Sequence, residues 1–518
     1  MSGIINDKLY TYGFLMTTQS DVSEKEIDID WYKWNYQKVD KFHLYTHPLQ
    51  NVYSCSNGEI TFLLVGHAYN PFTMEKDENE ILKHLSNLYL SDTIAYREYF
   101  DQITGLFFYA VIENGKTTVT CDASGMLATY YAEIKGNLYF SAYSQLIADL
   151  CGLEESEYVR CLKKSKFFVL YGWYLPGDAT SYDEVYRVIP NTEVIYNNGF
   201  SCNRFYPRAG YSIDEKDYEA RIKQIGDIMR NNMEIISQKW NSPAISLTGG
   251  MDSQTTLACT SDLQDRFKYF SYISLDREAT DANAAHSICE AKGLNHVIYN
   301  IETDKSKLDD FDELDALIER HYSYLGKAKE NDICKRISLA TVVDFDVEVK
   351  SWVSEVARAS RYKMYGKKKM PKKVTPRHLT SMYKVFTFNR KDAISTDKKF
   401  REYMDKTNFI GSILGNNYPW SEFFVWEIVF GGWGSLALVG EHMTTNNITV
   451  PYNNRALLDM MLRTPLNKRI TDEFNKDIIR TMDKELYDMH VHVVNGNSTK
   501  TREIGEKIYF ELHSRFPW

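Results

Sequence analysis

Residues 245–258 read ISLTGGMDSQTTLA, and they constrain the chain more than any other stretch. The apolar lead-in from Ala244 to Leu247 predicts the end of a buried strand. Thr248, Gly249 and Gly250 predict a tight turn, and Met251, Asp252 and Ser253 open a helix that continues through Thr255, Thr256 and Leu257. Glycine suits backbone that turns sharply and approaches a ligand closely. A helix N-terminus offers free N–H groups and the positive end of a dipole, so it attracts phosphate. Thr248 and Ser253 add hydroxyls, and Asp252 offers oxygen to Mg²⁺. The stretch therefore reads as a phosphate loop without the lysine of the Walker type. Gly-Gly-x-Asp is also a good turn and cap in its own right. The surroundings favour the loop. An apolar run at 269–275, a helical stretch at 281–292 ending at Gly293, and a second apolar run at 296–301 give β-α-β-α-β spacing, as a parallel sheet with crossover helices requires. Ligands of such sheets sit at the carboxyl ends of the strands, where this loop falls.

A chain of 518 residues has room for two or more domains and a large core. Its 43% hydrophobic and 25% charged content is that of a soluble globular protein. A formal net charge of −9 argues against general nucleic-acid affinity. No run of eighteen apolar residues suggests a membrane span. The opening MSGIINDKLYTYGF lacks a basic region followed by an apolar one, so no signal peptide is expected and the cytoplasm is the default. The eight cysteines form no CxxC pair, which predicts reduced, mostly buried thiols. HExxH, Cys/His clusters and GxSxG are absent.

Residues 1 to about 205 are rich in β-type runs, at 10–16, 60–65, 105–112, 117–121, 138–141 and 192–196. Turn signals at Ser56-Asn57-Gly58, Glu113-Asn114-Gly115 and Asn197-Asn198-Gly199 separate them. Helical stretches are fewer, the best at 79–90 and 144–150. The pattern predicts an α+β region. Beyond it the chain turns helical, with Tyr218, Ile222, Ile225, Ile228 and Met229 on one face, so a boundary is expected near 205–215.

The loop resembles the pyrophosphate loop of the ATP pyrophosphatases, SGGxDS, with Thr248 for the first serine. Placed after a strand-rich region, it makes the chain similar to the asparagine synthetase family, in which a glutaminase domain of the N-terminal-nucleophile kind comes first. Met1-Ser2-Gly3-Ile4 corresponds to the family's opening Met-Cys-Gly-Ile. LVGHAYNP from Leu64, ITGLFFYAVIENG from Ile103, CDASGMLATYY from Cys121 and VYRVIPNTEVIYNNG from Val185 resemble its further segments in the family's order. The resemblance implies an N-terminal-nucleophile-hydrolase-like α+β domain of stacked sheets over residues 1–208. It also implies an α/β ATP-pyrophosphatase domain over 209–518, with a parallel sheet and a helical C-terminal part.

The departures narrow the function. The glutaminase needs a thiolate at position 2 with its own amine as base. Ser2 stands there, and a hydroxyl ionises far less readily than a thiol. The family's substrate-binding Arg has no counterpart near His47-Pro48-Leu49, Thr104 replaces the acid of its Asp-Gly pair, and His67 replaces the Glu of its Gly-Glu pair. These losses together predict a domain that no longer hydrolyses glutamine, with His67 a structural histidine.

In the second half, Leu247 and Ile273 match positions that wall adenine and ribose in the family; two core residues of a sheet is the plainer reading. VEVKSWVSEVARASRY, from Val347, lies where the family has its Ser-Gly-Glu-Gly-x-Asp-Glu loop. Ser354 and Glu355 are the site candidates, Glu355 as the acid on the metal side, with Arg358 facing phosphate. The alternative is an exposed helix start capped by Ser354. The basic stretch at 361–378 is either a lid, a patch for an acidic partner or a solvated loop. Pro371 and Pro376 argue against one continuous helix there. ITVPYNNRALLDMMLRTP, from Ile448, resembles a further family segment, and Asn453 is expected to cap the helix starting near Arg455. Relatives that form amides use a late lysine; Lys476, Lys484 and Lys500 are the candidates.

The resemblance therefore implies ATP-dependent amide-bond formation, by a ligase or cyclase of the branch that includes β-lactam synthetases and lasso-peptide cyclases. An acyl-adenylate would form with release of pyrophosphate, with ATP and Mg²⁺ as cofactors and Asp252 and Glu355 on the metal. The expected partner is a small-molecule or peptide carboxylate, with an amine other than glutamine-derived ammonia. Two rivals stay open: a glutamine-dependent amidotransferase whose Cys was replaced, and a degenerate binding or assembly subunit. Homologous assemblies are often dimeric, which makes a homodimer an expectation that no stretch of this sequence identifies.

Overall fold

A computed structural model describes residues 7–24, 27–165, 168, 174–213, 216–342, 344–366, 370–383, 390–491 and 500–516. Ser2 and Lys367 to Lys369 lie outside these residues, as does the side chain of Lys500.

The first half contains two six-stranded antiparallel sheets. Its strands are β1 (Phe14–Thr17), β2 (Asn35–Val39), β3 (Phe42–Thr46), β4 (Val52–Asn57), β5 (Ile60–Tyr69), β6 (Thr104–Glu113), β7 (Lys116–Cys121), β8 (Tyr130–Ile134), β9 (Asn137–Ser141), β10 (Tyr186–Arg187), β11 (Thr192–Tyr196) and β12 (Phe200–Arg204). One sheet runs β10-β8-β9-β1-β3-β2, the other β12-β11-β7-β6-β5-β4. The turn signals form tight hairpins: Asn57 pairs with Ile60, Glu113 with Lys116 and Tyr196 with Phe200. Gly58, Gly115 and Asn198 take the positive φ that such hairpins need. The expected strand at 10–16 begins only at Phe14, because Tyr10 and Tyr12 sit at φ 55° and 54° and Gly13 N–H closes a turn onto the Tyr10 carbonyl.

The second half is built on five parallel strands in the order β15-β14-β13-β16-β17. They are β13 (Pro243–Ser246), β14 (Lys268–Ile273), β15 (His296–Asn300), β16 (Val347–Val349) and β17 (Asn447–Thr449). Every neighbouring pair is parallel. The helices used below are α1 (Tyr218–Lys239), α2 (Met251–Ala258), α3 (Asp276–Ala291), α4 (Glu330–Ala340), α5 (Trp420–His442) and α6 (Arg455–Leu462). On α1, Ile222, Ile225, Ile228 and Met229 are buried, as their spacing predicts. Helix α5 is long and apolar enough to cross a bilayer, but 89% of its most apolar window is buried inside the molecule. No disulfide joins the eight cysteines, and Cys121, Cys259, Cys289 and Cys334 are buried.

Polar side chains lock the halves together. Asn454, not Asn453, caps α6: its Oδ1 accepts from Leu457 N–H at 2.8 Å, and its Nδ2 donates to Thr104 Oγ1 at 3.0 Å. Asn453 donates instead to the Gly105 carbonyl at 2.7 Å and to Asp122 Oδ1 at 2.8 Å. Either asparagine has cap chemistry; an antiparallel bridge between Thr104 and Asn454 places Asn454 at the helix start. Thr104 also donates to Asn232 at 2.8 Å, and His67 Nε2 contacts Thr449 Oγ1 at 3.2 Å with its ring edge-on to Trp240. The two positions at which the resemblance expects glutamine-binding acids are thus buried contacts onto the second half.

Burial, reinforced by Lys239, pushes the His67 imidazole down to about 3, and burial does the same to His321. Unfolded, each takes up a proton near pH 6.5. The unfolded chain therefore binds more protons between about 6.5 and 3, so this stability is complete above pH 6.5 and declines as pH falls. The loss expected at pH 5 is about 2 kcal/mol per histidine. Thermal midpoints measured from pH 7.5 to 5 should fall below pH 6.5, and His67→Gln should flatten that slope. An unchanged slope in the variant would contradict the neutral buried state.

Candidate active site at the carboxyl edge of the parallel sheet

The strand order reverses beside β13: its successor β14 lies on one side and β16 on the other. Loops diverge at such a point and leave a crevice at the carboxyl edge. The loop at Thr248 to Gly250 leaves β13 there and enters α2, whose N-cap is Gly250 with no side chain capping it. First-turn N–H groups have no partner within a helix. The loop is held from within. Ser253 Oγ lies 3.0 Å from Thr248 Oγ1 and donates to the Thr248 carbonyl at 2.9 Å. Thr248 Oγ1 accepts from Gly250 N–H at 3.1 Å, and Gln254 Nε2 donates to the Gly249 carbonyl at 2.9 Å. A Cβ added at Gly250 would meet only Thr248 Oγ1 within 4 Å, so this face of the loop is open.

Across the crevice, the segment after β16 reaches back to the loop. Ser354 Oγ donates to Asp252 Oδ1 at 2.7 Å, and Arg358 Nη1 donates to Asp252 Oδ2 at 2.5 Å. Ser351 and Thr256 share a hydroxyl contact at 2.7 Å. Ser354 is fully buried and spends its hydroxyl on Asp252, so the exposed helix start capped by Ser354 is ruled out. Val353 takes φ 77° and Ala359 φ 52°, left-handed backbone that costs a side-chain-bearing residue about 1–2 kcal/mol. Held strain of this kind gathers at functional sites. Glu355 Oε2 is enclosed and accepts no hydrogen bond. Burial first, then the Asp252 carboxylate, pushes the Glu355 carboxyl up to about 8.

Two residues enter the cluster that sequence spacing did not single out as its members. Asp472 accepts from Arg358 Nε at 2.9 Å and from Lys363 Nζ at 2.6 Å. Burial is the largest influence on the Lys363 ammonium and lowers its pKa, with Asp472 opposing. Lys363 was visible as part of a basic run; its distinction from its neighbours is tertiary. Lys476 is exposed on the helix Glu473–Met482, and Lys484 is exposed and pairs with Asp488, so neither joins the cluster. Leu247 is buried, its N–H bonded to the Phe270 carbonyl; Ile273 is half-buried and its carbonyl accepts from Ile301 N–H.

Among the described residues no three of His, Cys, Asp and Glu group as metal ligands. Mg²⁺ is commonly held by one or two carboxylates with substrate phosphates completing its shell. The unpartnered Oε2 of Glu355 fits that smaller demand, and Asp252 would share with the ion the oxygens that meet Ser354 and Arg358.

No family model matches the chain, and no curated protein matches it. Among solved structures, the chain is similar to the allosteric regulatory enzyme of purine biosynthesis, 11% identical with a TM-score of 0.23, over 47% of this chain and 57% of that one. It is similar to glutamine phosphoribosylpyrophosphate amidotransferase from B. subtilis complexed with ADP and GMP, 9% identical with a TM-score of 0.22, over 68% and 73%. A third is the glutamine-dependent NAD⁺ synthetase from Acinetobacter baumannii in complex with ADP, 11% identical with a TM-score of 0.20, over 49% and 56%. The chain spans little more than half the length of the first and third.

Proposed function

We propose that the chain joins a carboxylic acid to an amine, using ATP and releasing AMP and pyrophosphate. The observation that carries this reading is the Asp252 junction, where an open phosphate loop after β13 is tied to Ser354 and Arg358 after β16. A carboxylate is a poor electrophile. Its oxygen attacks the α-phosphorus of ATP, the bond to the β-phosphate oxygen breaks, and pyrophosphate leaves with that electron pair. The Thr248 to Ser253 loop would receive the pyrophosphate, with Arg358 and Lys363 facing its charge. Mg²⁺, held by Asp252 and Glu355, would neutralise charge on the leaving group. An amine then attacks the acyl carbon and AMP departs. Lys363, beside Arg358 on Asp472, would steady that second step. The burial of Thr104 and His67 supports an amine other than glutamine-derived ammonia. In this reading residues 1–208 act as a scaffold, 209–518 carry the chemistry, and the partner is a small-molecule or peptide carboxylate.

Incubation with α-labelled ATP and fractionated metabolite or peptide extract should yield AMP, and hydroxylamine should trap the acyl group as a hydroxamate. Formation of ADP and phosphate instead would contradict the reading. Ser2→Ala should leave AMP formation within about twofold of the parent, because a scaffold needs no nucleophile. Glutamine-dependent turnover lost in Ser2→Ala would contradict it.

A further inference from the structure

A second feature opens on the same edge of the sheet. It is a cleft of about 920 Å³, within the range of small-molecule sites. Its walls come from the end of β14 (Tyr272), from α4 (Arg336), from the segment after β16 (Trp352) and from α5 (Trp433, His442). Trp352 follows Ser351, whose hydroxyl meets Thr256 of α2, so the cleft begins beside the phosphate loop.

Trp352 and Trp433 stack with centroids 5.9 Å apart at 28°, and His442 stands edge-on to Trp352 at 4.9 Å. Trp433 is 39% exposed on a helix that is otherwise mostly buried. Indole surface left facing water in a cleft is apolar area that a ligand would cover. Arg336 is 2% exposed; its Nη1 donates to His442 Nδ1 at 2.9 Å and its Nε has no hydrogen-bond partner. Burial keeps His442 neutral, so it accepts the hydrogen bond and supplies no counter-charge. Among the described residues no carboxylate lies within 4 Å of the Arg336 guanidinium, although Glu441 feels its charge from further away. Asp332 is taken by Lys335 at 2.9 Å, and Glu441 accepts from Tyr322. A buried guanidinium without an ion-pair partner favours an incoming anion, and its planar fork suits a carboxylate.

We propose that this cleft seats the acid substrate of the reaction above, and that this acid is an aromatic or similarly flat molecule bearing a second anionic group, the ring against Trp352 and Trp433 and the anion on Arg336. The assignment rests on the adenylating reading and supplies its substrate class.

Calorimetric titration of the full chain without ATP, using isophthalate, homophthalate and indole-3-acetate as probes, tests it. At least one should bind saturably, and the neutral isophthalamide at least tenfold more weakly than isophthalate. Arg336→Gln should weaken the binding tenfold or more. Trp433→Ala, at an exposed position that leaves the fold unchanged by circular dichroism, should weaken it at least fivefold. Binding of no probe, equal binding of isophthalamide, or unchanged affinity in both variants would overturn the proposal. Displacement of a bound probe by adenosine, with succinate binding as well as isophthalate, would place a nucleotide base there and overturn it too. Magnesium pyrophosphate binding, measured on the same preparation, separates the two readings. If it persists while the probes fail, only the substrate class falls; if it fails as well, the adenylating reading falls.

Discussion

Asp252→Asn should lower AMP formation by about 100- to 1,000-fold, the usual consequence of removing one preorganised electrostatic contact from a reacting centre. The change keeps shape and removes charge. Asp252 accepts from Ser354 and Arg358 at once, and its backbone carbonyl accepts from Tyr452 at 3.4 Å and Thr256 at 3.1 Å. The variant therefore loses the anchor that sets the segment after β16 against the loop, and one of two carboxylates fit for Mg²⁺. Arg358 retains Asp472, so the segment should remain folded. The pair is mostly buried, but Arg358 keeps the Asp472 carboxylate at 2.9 Å, so its charge is not stranded and the cost to stability is modest. Pre-steady-state product measurement checks the prediction; a parental rate would remove Asp252 from the chemistry.

Glu427→Gln should produce the largest loss of stability. Glu427 receives Arg204 Nη1 at 2.6 Å and Nη2 at 2.9 Å, Asn191 Nδ2 at 3.0 Å and the Tyr403 hydroxyl at 2.5 Å. The Arg204 and Glu427 side chains are 1% and 0% exposed. Removing one charge from a buried pair strands the other, at a cost of about 3–5 kcal/mol. Arg204 ends the antiparallel half and Glu427 lies on α5, so the loss should appear as weakened association of the two halves. Over a chain of 518 residues the thermal midpoint should fall by roughly 3–5 °C. The double variant Arg204→Met, Glu427→Leu should recover part of this, since an apolar pair carries no stranded charge. A shift under about 2 °C in Glu427→Gln would contradict it.

The parallel sheet was legible because its signals are local: apolar runs separated by helical periods and closed by Gly250 and Gly293. The hairpins were legible because Asn-Gly and Asn-Asn-Gly turns carry their own backbone preference. The strand Asn35–Val39 escaped notice because it is an edge strand with four of five residues exposed, so no alternation marks it. The turn from β13 into α2 was legible down to Ser253. Its partners were legible only in part. Ser354, Glu355 and Arg358 fall near the position the resemblance indicates, but Asp472 and Lys363 meet Arg358 only through tertiary packing. The choice between Asn453 and Asn454 as cap depended on the bridge to Thr104, more than 300 residues away in sequence. A single chain records which residues have cap chemistry, not which of two neighbours a distant strand will engage.

The most direct measurement needs no knowledge of the acid or the amine: calorimetric titration of the full chain with inorganic pyrophosphate, with and without Mg²⁺. A loop that receives pyrophosphate should bind it saturably and depend on Mg²⁺. Gly250→Val, which places a branched side chain on the open face of the loop, should weaken that binding at least tenfold. Absence of binding by the parent chain, or equal binding by Gly250→Val, would contradict the assignment of the loop.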